Sequence, residues 1–210
     1  MTTKSFNLAE NLPLVAIIRG VTPSEVIDVA QVLIEEGFTM IEVPLNSPDA
    51  LVSIKTLVDH FGHDYYIGAG TVTTPELAQQ VIDTGANLVV TPNFHEEVVK
   101  MSIEAGCVTF PGVVTPTEAF AALAAGATGI KLFPVTMLGT SGFKALKSVL
   151  PPETICLPVG GISPTTESMK PYTDLGAQGF GLGAALYKPG MTRDEIRNNA
   201  KAYVAAFNAC

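Results

Sequence analysis

The sequence predicts an α/β fold, a single (β/α)8 TIM barrel over residues 1–210, and three observations carry that prediction. Short runs rich in Val, Ile, Leu and Phe recur at 14–18, 40–43, 65–67, 88–90, 108–110, 130–133, 155–157 and 179–182. Each is too short for a helix, and a run that is apolar throughout reads as a parallel strand buried on both faces. Helix-start chemistry follows the runs and helix-stop glycines precede them. The beat recurs about every 26 residues, which divides the chain into eight βα units near the lower size limit of the barrel.

Taken in order, the first strand ends in Arg19-Gly20, and Thr22-Pro23-Ser24-Glu25 reads as a capping box with Pro at the first helical position. Val26, Val29, Ala30, Leu33 and Ile34 then form one helical stripe. The second strand runs into Pro44, and Ser47-Pro48 is the next cap-plus-Pro pair. Gly68-Ala69-Gly70-Thr71 is the tight end of the third strand, with Thr74-Pro75 opening its helix. The fourth helix begins at Asn93-x-x-Glu96, the fifth at the box Thr115-Pro116-Thr117-Glu118, and the sixth near Thr140-Ser141. Ser163-Pro164 and Thr192-x-x-Glu195 start the last two. Gly37, Gly85, Gly106, Gly126 and Gly176 stand where helices stop. An open doubly wound sheet is the alternative, and eight regular beats favour closure over it.

Composition narrows the function. Apolar residues make up 47% and charged residues 15%, against about 25% charged in an ordinary soluble domain. So thin a charge coat suits a large core and a surface covered by another copy. With 12 basic and 20 acidic residues and a net charge of −8, the chain lacks the clustered cations that neutralise phosphate backbones, so nucleic acid is not expected as a partner. Cys107, Cys156 and Cys210 form no C-x-x-C pair and no even framework, which suits a reducing compartment. No apolar stretch reaches membrane-spanning length and the N-terminus carries no signal-peptide core, so no membrane partner is expected and the chain reads as cytoplasmic.

Charged residues inside the strand runs are the first site candidates, because barrel interiors are apolar and active sites lie at the C-terminal ends of the strands. Strand alternation sets Lys131 opposite Ile130 and Leu132. If the aliphatics face the helices, Lys131 points into the barrel, where burial favours the neutral amine, a nucleophile toward carbonyl carbon. Glu42 sits in the same way between Ile41 and Val43 and can pair with Lys131 or move protons. Arg19 ends the first strand, where a guanidinium suits a carboxylate or phosphate. The plainer readings are a structural salt bridge at Lys131, an inert buried ion pair with Glu42, and an Arg19–Glu42 pair.

The last two junctions, Val159-Gly160-Gly161-Ile162-Ser163 and Gly181-Leu182-Gly183-Ala184-Ala185, are rich in glycine. Glycine lets backbone N–H groups approach an anion, and phosphate sites in such barrels form after strands seven and eight. His60, His63 and His95 have no ligand-like spacing, so neither a metal nor a cofactor is expected.

Together these motifs resemble the class I 2-keto-3-deoxy-6-phosphogluconate and 2-keto-3-deoxy-6-phosphogalactonate aldolases over roughly residues 12 to 205. The resemblance rests on Ile17-Ile18-Arg19-Gly20, Ile41-Glu42-Val43-Pro44-Leu45-Asn46-Ser47-Pro48, Gly68-Ala69-Gly70-Thr71-Val72 and Thr91-Pro92-Asn93. It continues through Phe110-Pro111-Gly112, Ile130-Lys131-Leu132-Phe133-Pro134 and Val159-Gly160-Gly161-Ile162. It implies that Lys131 forms the Schiff base and Glu42 shuttles protons. It also implies that Arg19 and Thr71 hold the pyruvoyl end, and that Gly160, Gly161, Gly183 and Ala184 lie at a phosphate site. The implied substrate is a phosphorylated 2-keto-3-deoxy sugar acid, the implied product pyruvate, and the implied assembly a homotrimer. Asn46 and Val159 resemble the galactonate branch. The family commonly has Ser where this chain has Ala184, which removes a hydroxyl donor and calls strict preference for a phosphorylated substrate into question. The competing classes are a gluconate-specific or less phosphate-dependent relative, a metal-assisted sugar-phosphate epimerase or decarboxylase, and a non-catalytic sugar-phosphate binder.

Overall fold

The computed structural model describes residues 6–210. Residues 1–5, part of the N-terminal segment read as free of a signal, lie outside the described residues. After a single 3-10 turn at Leu8–Glu10, strands and helices alternate. Strand β1 spans Leu14–Ile17, β2 Met40–Pro44, β3 Tyr66–Gly70 and β4 Leu88–Val90. The fifth strand continues past its predicted end. Pro111 has no N–H to give the ladder, and it divides the strand into β5 (Val108–Phe110) and β6 (Gly112–Val113). Strand β7 spans Ile130–Leu132, β8 Cys156–Pro158 and β9 Phe180–Leu182. The helices are α1 (Val26–Glu35), α2 (Ala50–Phe61), α3 (Pro75–Asp83), α4 (Glu96–Glu104), α5 (Pro116–Ala124), α6 (Val135–Lys147), α7 (Thr166–Thr173) and α8 (Arg193–Asn208).

All strand pairs are parallel. One sheet runs β5-β4-β3-β2-β1-β9 and the other β6-β7-β8. The continuous β5–β6 segment joins them on one side, and a bridge from Val159 to Gly181 joins them on the other, so the sheet curls into a ring. Alternation divides the core into two layers. Val15, Met40, Tyr66, Leu88, Val90, Val108, Phe110 and Leu157 fill the inside of the ring. Leu14, Ala16, Ile41, Val43, Ile67, Val89, Ile130, Leu132, Phe180 and Leu182 face the helices. Phe6 packs edge-on against Tyr66 and Phe110, at ring distances of 5.2 and 6.1 Å, and covers the ring's N-terminal end.

Cap chemistry accounts for some helix starts and not others. Thr74, Thr115 and Thr192 cap α3, α5 and α8 through their hydroxyls, with full capping boxes at Thr115 and Thr192. At α1 only the glutamate half of the box forms, Glu25 accepting from the Thr22 N–H at 3.0 Å. Three starts are shifted. Helix α2 opens at Ala50 behind Asp49, because the Ser47 hydroxyl is taken by the Gly20 N–H across the barrel rim, at 2.9 Å. Helix α4 opens behind His95 rather than Asn93. Helix α7 opens behind Thr165, whose hydroxyl makes the cap that Ser163 does not. Helix α6 bends at Gly139 (φ 62°), so its regular part begins at the predicted Thr140-Ser141. The predicted stop glycines 37, 85, 106, 126 and 176 all have φ between 82 and 97°, the left-handed cap that costs other residues a Cβ clash.

Arg193 reaches Asp28 at 2.7 Å, and Arg197 reaches Glu35 and Glu36 at 2.7 and 2.8 Å, tying α8 to α1. Arg19, the remaining arginine, is left for the rim. Among the described residues, no helix is long and apolar enough to cross a membrane.

Two glycines give a contrasting test. A Cβ on Gly68 would lie 1.7 Å from the Leu88 carbonyl oxygen, whereas one on Gly37 would meet nothing within 4 Å. Gly68→Ala is expected to cost about 3 kcal/mol or more, because β3 and β4 must move apart. Gly37→Ala should cost only the left-handed strain of about 1–2 kcal/mol. Urea unfolding of the two variants checks the order.

Candidate active site

The site lies at the C-terminal ends of the strands. A cavity of about 500 Å³ opens there, lined by residues following β1, β7, β8 and β9. Arg19, Lys131, Gly160, Gly161, Gly183 and Ala184, six of the sequence candidates, line it together. Glu42 and Thr71 are not among the residues that line it: Glu42 is buried in β2, and Thr71 follows β3, the strand paired with β2.

Lys131 points inward, as the outward packing of Ile130 and Leu132 requires. Only 6% of it is exposed. Below, it shares a void of about 10 Å³ with Val15, Ile17, Val90, Phe110, Leu157 and Val159, all apolar. Above, its Nζ stands 4.6 Å from the centroid of the Phe133 ring. Burial pulls its pKa below the ordinary lysine value. The Glu42 charge opposes that pull and the Arg19 charge adds to it.

Glu42 is 1% exposed. Its Oε2 is buried without a hydrogen-bond partner among the described residues. Burial pushes the carboxyl up to about 7, against the attraction of Lys131 and Arg19. No ion pair within 4.0 Å links Glu42 to Lys131 or to Arg19 among the described residues. Neither charge pair of the plainer readings, Lys131 with Glu42 or Arg19 with Glu42, closes to a contact in this structure. The two inward groups feel each other's charge without an ion-pair contact. Gly70 makes that placement possible, since a Cβ there would sit 1.9 Å from Glu42 Oε2.

Arg19 donates instead to the Asn46 side-chain carbonyl, in the loop that extends β2. Together with the Gly20–Ser47 bond, this ties the first rim loop to the second residue by residue. A neutral partner orients the guanidinium and leaves its charge for a ligand. Thr71 holds φ at 62°, an unfavourable conformation for a β-branched residue. Gly160 and Gly161 have φ of 99 and 77°. Among the described residues, no acceptor is paired with the N–H of Gly161, Ala184 or Ala185.

The cavity also contains Phe133, Ser163, Tyr187 and Lys188, which sequence reasoning did not single out. Phe133 was legible, two residues on from Lys131 on the same strand face. The others come together only through loop folding. Among the described residues, no three His, Cys, Asp or Glu side chains converge to hold a metal.

A Glu42 pKa of about 7 in the folded protein, against 4.5 for the ordinary group, has a defined linkage. Between those values the folded protein holds a proton that the unfolded chain releases, so this carboxyl's contribution to stability falls as pH rises. Relative to Glu42→Gln, which cannot ionise, the native protein should lose up to about 3 kcal/mol between pH 4.5 and 7. Denaturation of both proteins across that range measures the difference.

The model of the family described as "Aldolase: KDPG and KHG aldolase" matches residues 7–200. A probable 2-dehydro-3-deoxy-6-phosphogalactonate aldolase of Rhizobium meliloti is 47% identical over 94% of this chain and 92% of its own. The 2-dehydro-3-deoxy-6-phosphogalactonate aldolase of Escherichia coli is 42% identical over 93% of this chain and 95% of its own. A solved structure described as native KDPGal superposes with a TM-score of 0.91 at 42% identity, covering 94% of this chain and 95% of that one.

Proposed function

The chain belongs to the KDPG and KHG aldolase family, and from that premise we propose that it is a class I aldolase. It cleaves 2-dehydro-3-deoxy-6-phosphogalactonate to pyruvate and D-glyceraldehyde 3-phosphate. The observation that carries the reading is the inward pair: a lysine that burial holds toward the neutral amine, and a carboxyl that burial brings to about 7. An amine shifted toward its neutral form is a better nucleophile, and a carboxyl near 7 gives and takes protons at neutral pH.

Lys131 Nζ attacks C2 of the substrate. Glu42 passes a proton to the departing C2 oxygen, water leaves, and an iminium forms. Glu42, now a carboxylate, takes the C4 hydroxyl proton. The C3–C4 bond breaks, and its electrons flow into the iminium to give an enamine and the aldehyde. Glu42 returns its proton to C3 of the enamine. Water then hydrolyses the new iminium and Glu42 takes up the proton set free, so pyruvate leaves and Lys131 and Glu42 return to their starting forms. The iminium is the electron sink, so these steps call on no cofactor.

Arg19, oriented by Asn46, and Thr71 hold the carboxylate end, so that C2 stays against the amine. The free N–H groups of Gly161 and the Ala184–Ala185 turn, with Gly160 and Gly183 giving the backbone room to approach, receive the phosphate. Val159 lines the cavity beside them and faces the carbon whose configuration distinguishes the galactonate from the gluconate. Both relatives named for the galactonate substrate support that epimer. A cytoplasmic homotrimer completes the reading. Exposed Phe120, Met137 and Val149 on and beside α5 and α6 offer apolar surface for such an assembly, and the three free cysteines suit a reducing compartment.

Borohydride reduction in the presence of pyruvate, read by peptide mass spectrometry, tests the mechanism. A reduced pyruvate adduct is expected on Lys131 and on no other lysine. Lys131→Ala should lose both the adduct and turnover, and Glu42→Gln should lower kcat by about 10²–10⁴. An active protein that forms no adduct on Lys131 overturns the assignment.

A further inference from the structure

We propose that Lys188 is the residue that selects for a phosphorylated substrate, its ammonium standing in for the hydroxyl that Ala184 lacks. The inference rests on the aldolase reading and concerns the far end of the same cavity.

In a chain of net charge −8, the cavity is lined by three cations, Arg19, Lys131 and Lys188, and by no carboxylate. Such a lining is built for an anion. Two of these cations already have roles in the reaction proposed above. Arg19 is held toward one end by Asn46, and burial drives Lys131 toward its neutral form. Lys188 is the third cation, and among the described residues no ion pair holds it.

The backbone that carries Lys188 is pinned on both sides. After β9 the chain makes one turn, in which the Leu186 and Tyr187 N–H groups donate to the Gly183 carbonyl at 2.8 and 3.1 Å. Tyr187 is 2% exposed, and its hydroxyl donates to Glu25 at 3.3 Å. Pro189 presses on Gly20, where an added Cβ would lie 2.7 Å from the proline ring. Lys188 between them is exposed. It lines the cavity just beyond the turn whose Ala184 and Ala185 N–H groups lack acceptors among the described residues.

Those N–H groups can orient a phosphate but carry no net charge. A phosphate monoester bears close to two negative charges at neutral pH, and a charge-assisted donor is about twice as strong as a neutral one. An ammonium at 188 adds the charge that these backbone donors lack and makes phosphate recognition depend on salt.

The test compares native protein, Lys188→Met, Lys188→Arg and Ser163→Ala on two substrates, the 6-phosphorylated 2-keto-3-deoxy acid and its 6-hydroxy analogue. The ratio of kcat/KM for the first over the second should fall tenfold to a hundredfold in Lys188→Met. It should recover in Lys188→Arg, and in the native protein it should decline as salt is raised. Thermal stabilisation by inorganic phosphate, which needs no turnover, should be lost in Lys188→Met. An unchanged ratio in Lys188→Met, or a loss confined to Ser163→Ala, overturns the proposal. Pyruvate trapping on the native protein reports the aldolase reading separately. A protein that fails to trap pyruvate yet loses phosphate stabilisation in Lys188→Met would sink that reading and keep this one.

Discussion

Desolvation of one lysine inside an apolar barrel is the interaction from which the rest of the site follows. The strands can close into a ring only if their inward side chains pack, and nearly all of these are Val, Leu, Met, Tyr or Phe. An ammonium placed among them costs solvation energy that no ion pair within 4.0 Å among the described residues returns. The amine therefore gives up its proton readily, and the same burial lets Glu42 keep its own until about pH 7. Two groups that would be fully ionised on the surface are brought toward neutrality by their surroundings. Their separation without contact keeps them from neutralising each other.

The rim loops turn that reactive pair into a site. Strand β2 supplies Glu42 within the ring and, four residues on, Asn46 above it. Asn46 orients Arg19 while Ser47 takes the Gly20 N–H. Gly20 in turn receives Pro189, so the loop after β9 rests on the loop after β1, which rests on the loop after β2. The cavity wall is thus a chain of short contacts around the rim. Gly70 leaves space for the Glu42 carboxyl, and the positive φ of Gly160 and Gly161 turns the chain along the cavity wall.

Much of this was legible in the sequence, for a physical reason. Parallel strands buried on both faces announce themselves as short apolar runs, and a single charged residue in such a run must point inward once its neighbours face the helices. That logic located Lys131 and Glu42. Threonine caps were legible at positions 74, 115 and 192, where the hydroxyl serves its own helix. Ser47 misled because its hydroxyl serves another loop, a contact between residues far apart in the chain. Lys188 and Tyr187 were illegible for the same reason, since nothing local marks a loop residue that folds back over a cavity. Asn46 was noticed as a branch marker, and only the folded rim shows it holding Arg19.

The most direct measurement is the titration of Lys131 itself, followed by NMR on protein labelled at the lysine ε-carbon and assigned with Lys131→Ala. The account predicts that Lys131 titrates well below the ordinary 10.5, apart from the surface lysines. It also predicts a further drop in Glu42→Gln, because the neighbouring carboxylate opposes the effect of burial. A Lys131 that titrates with the surface lysines, unmoved by Glu42→Gln, would contradict it.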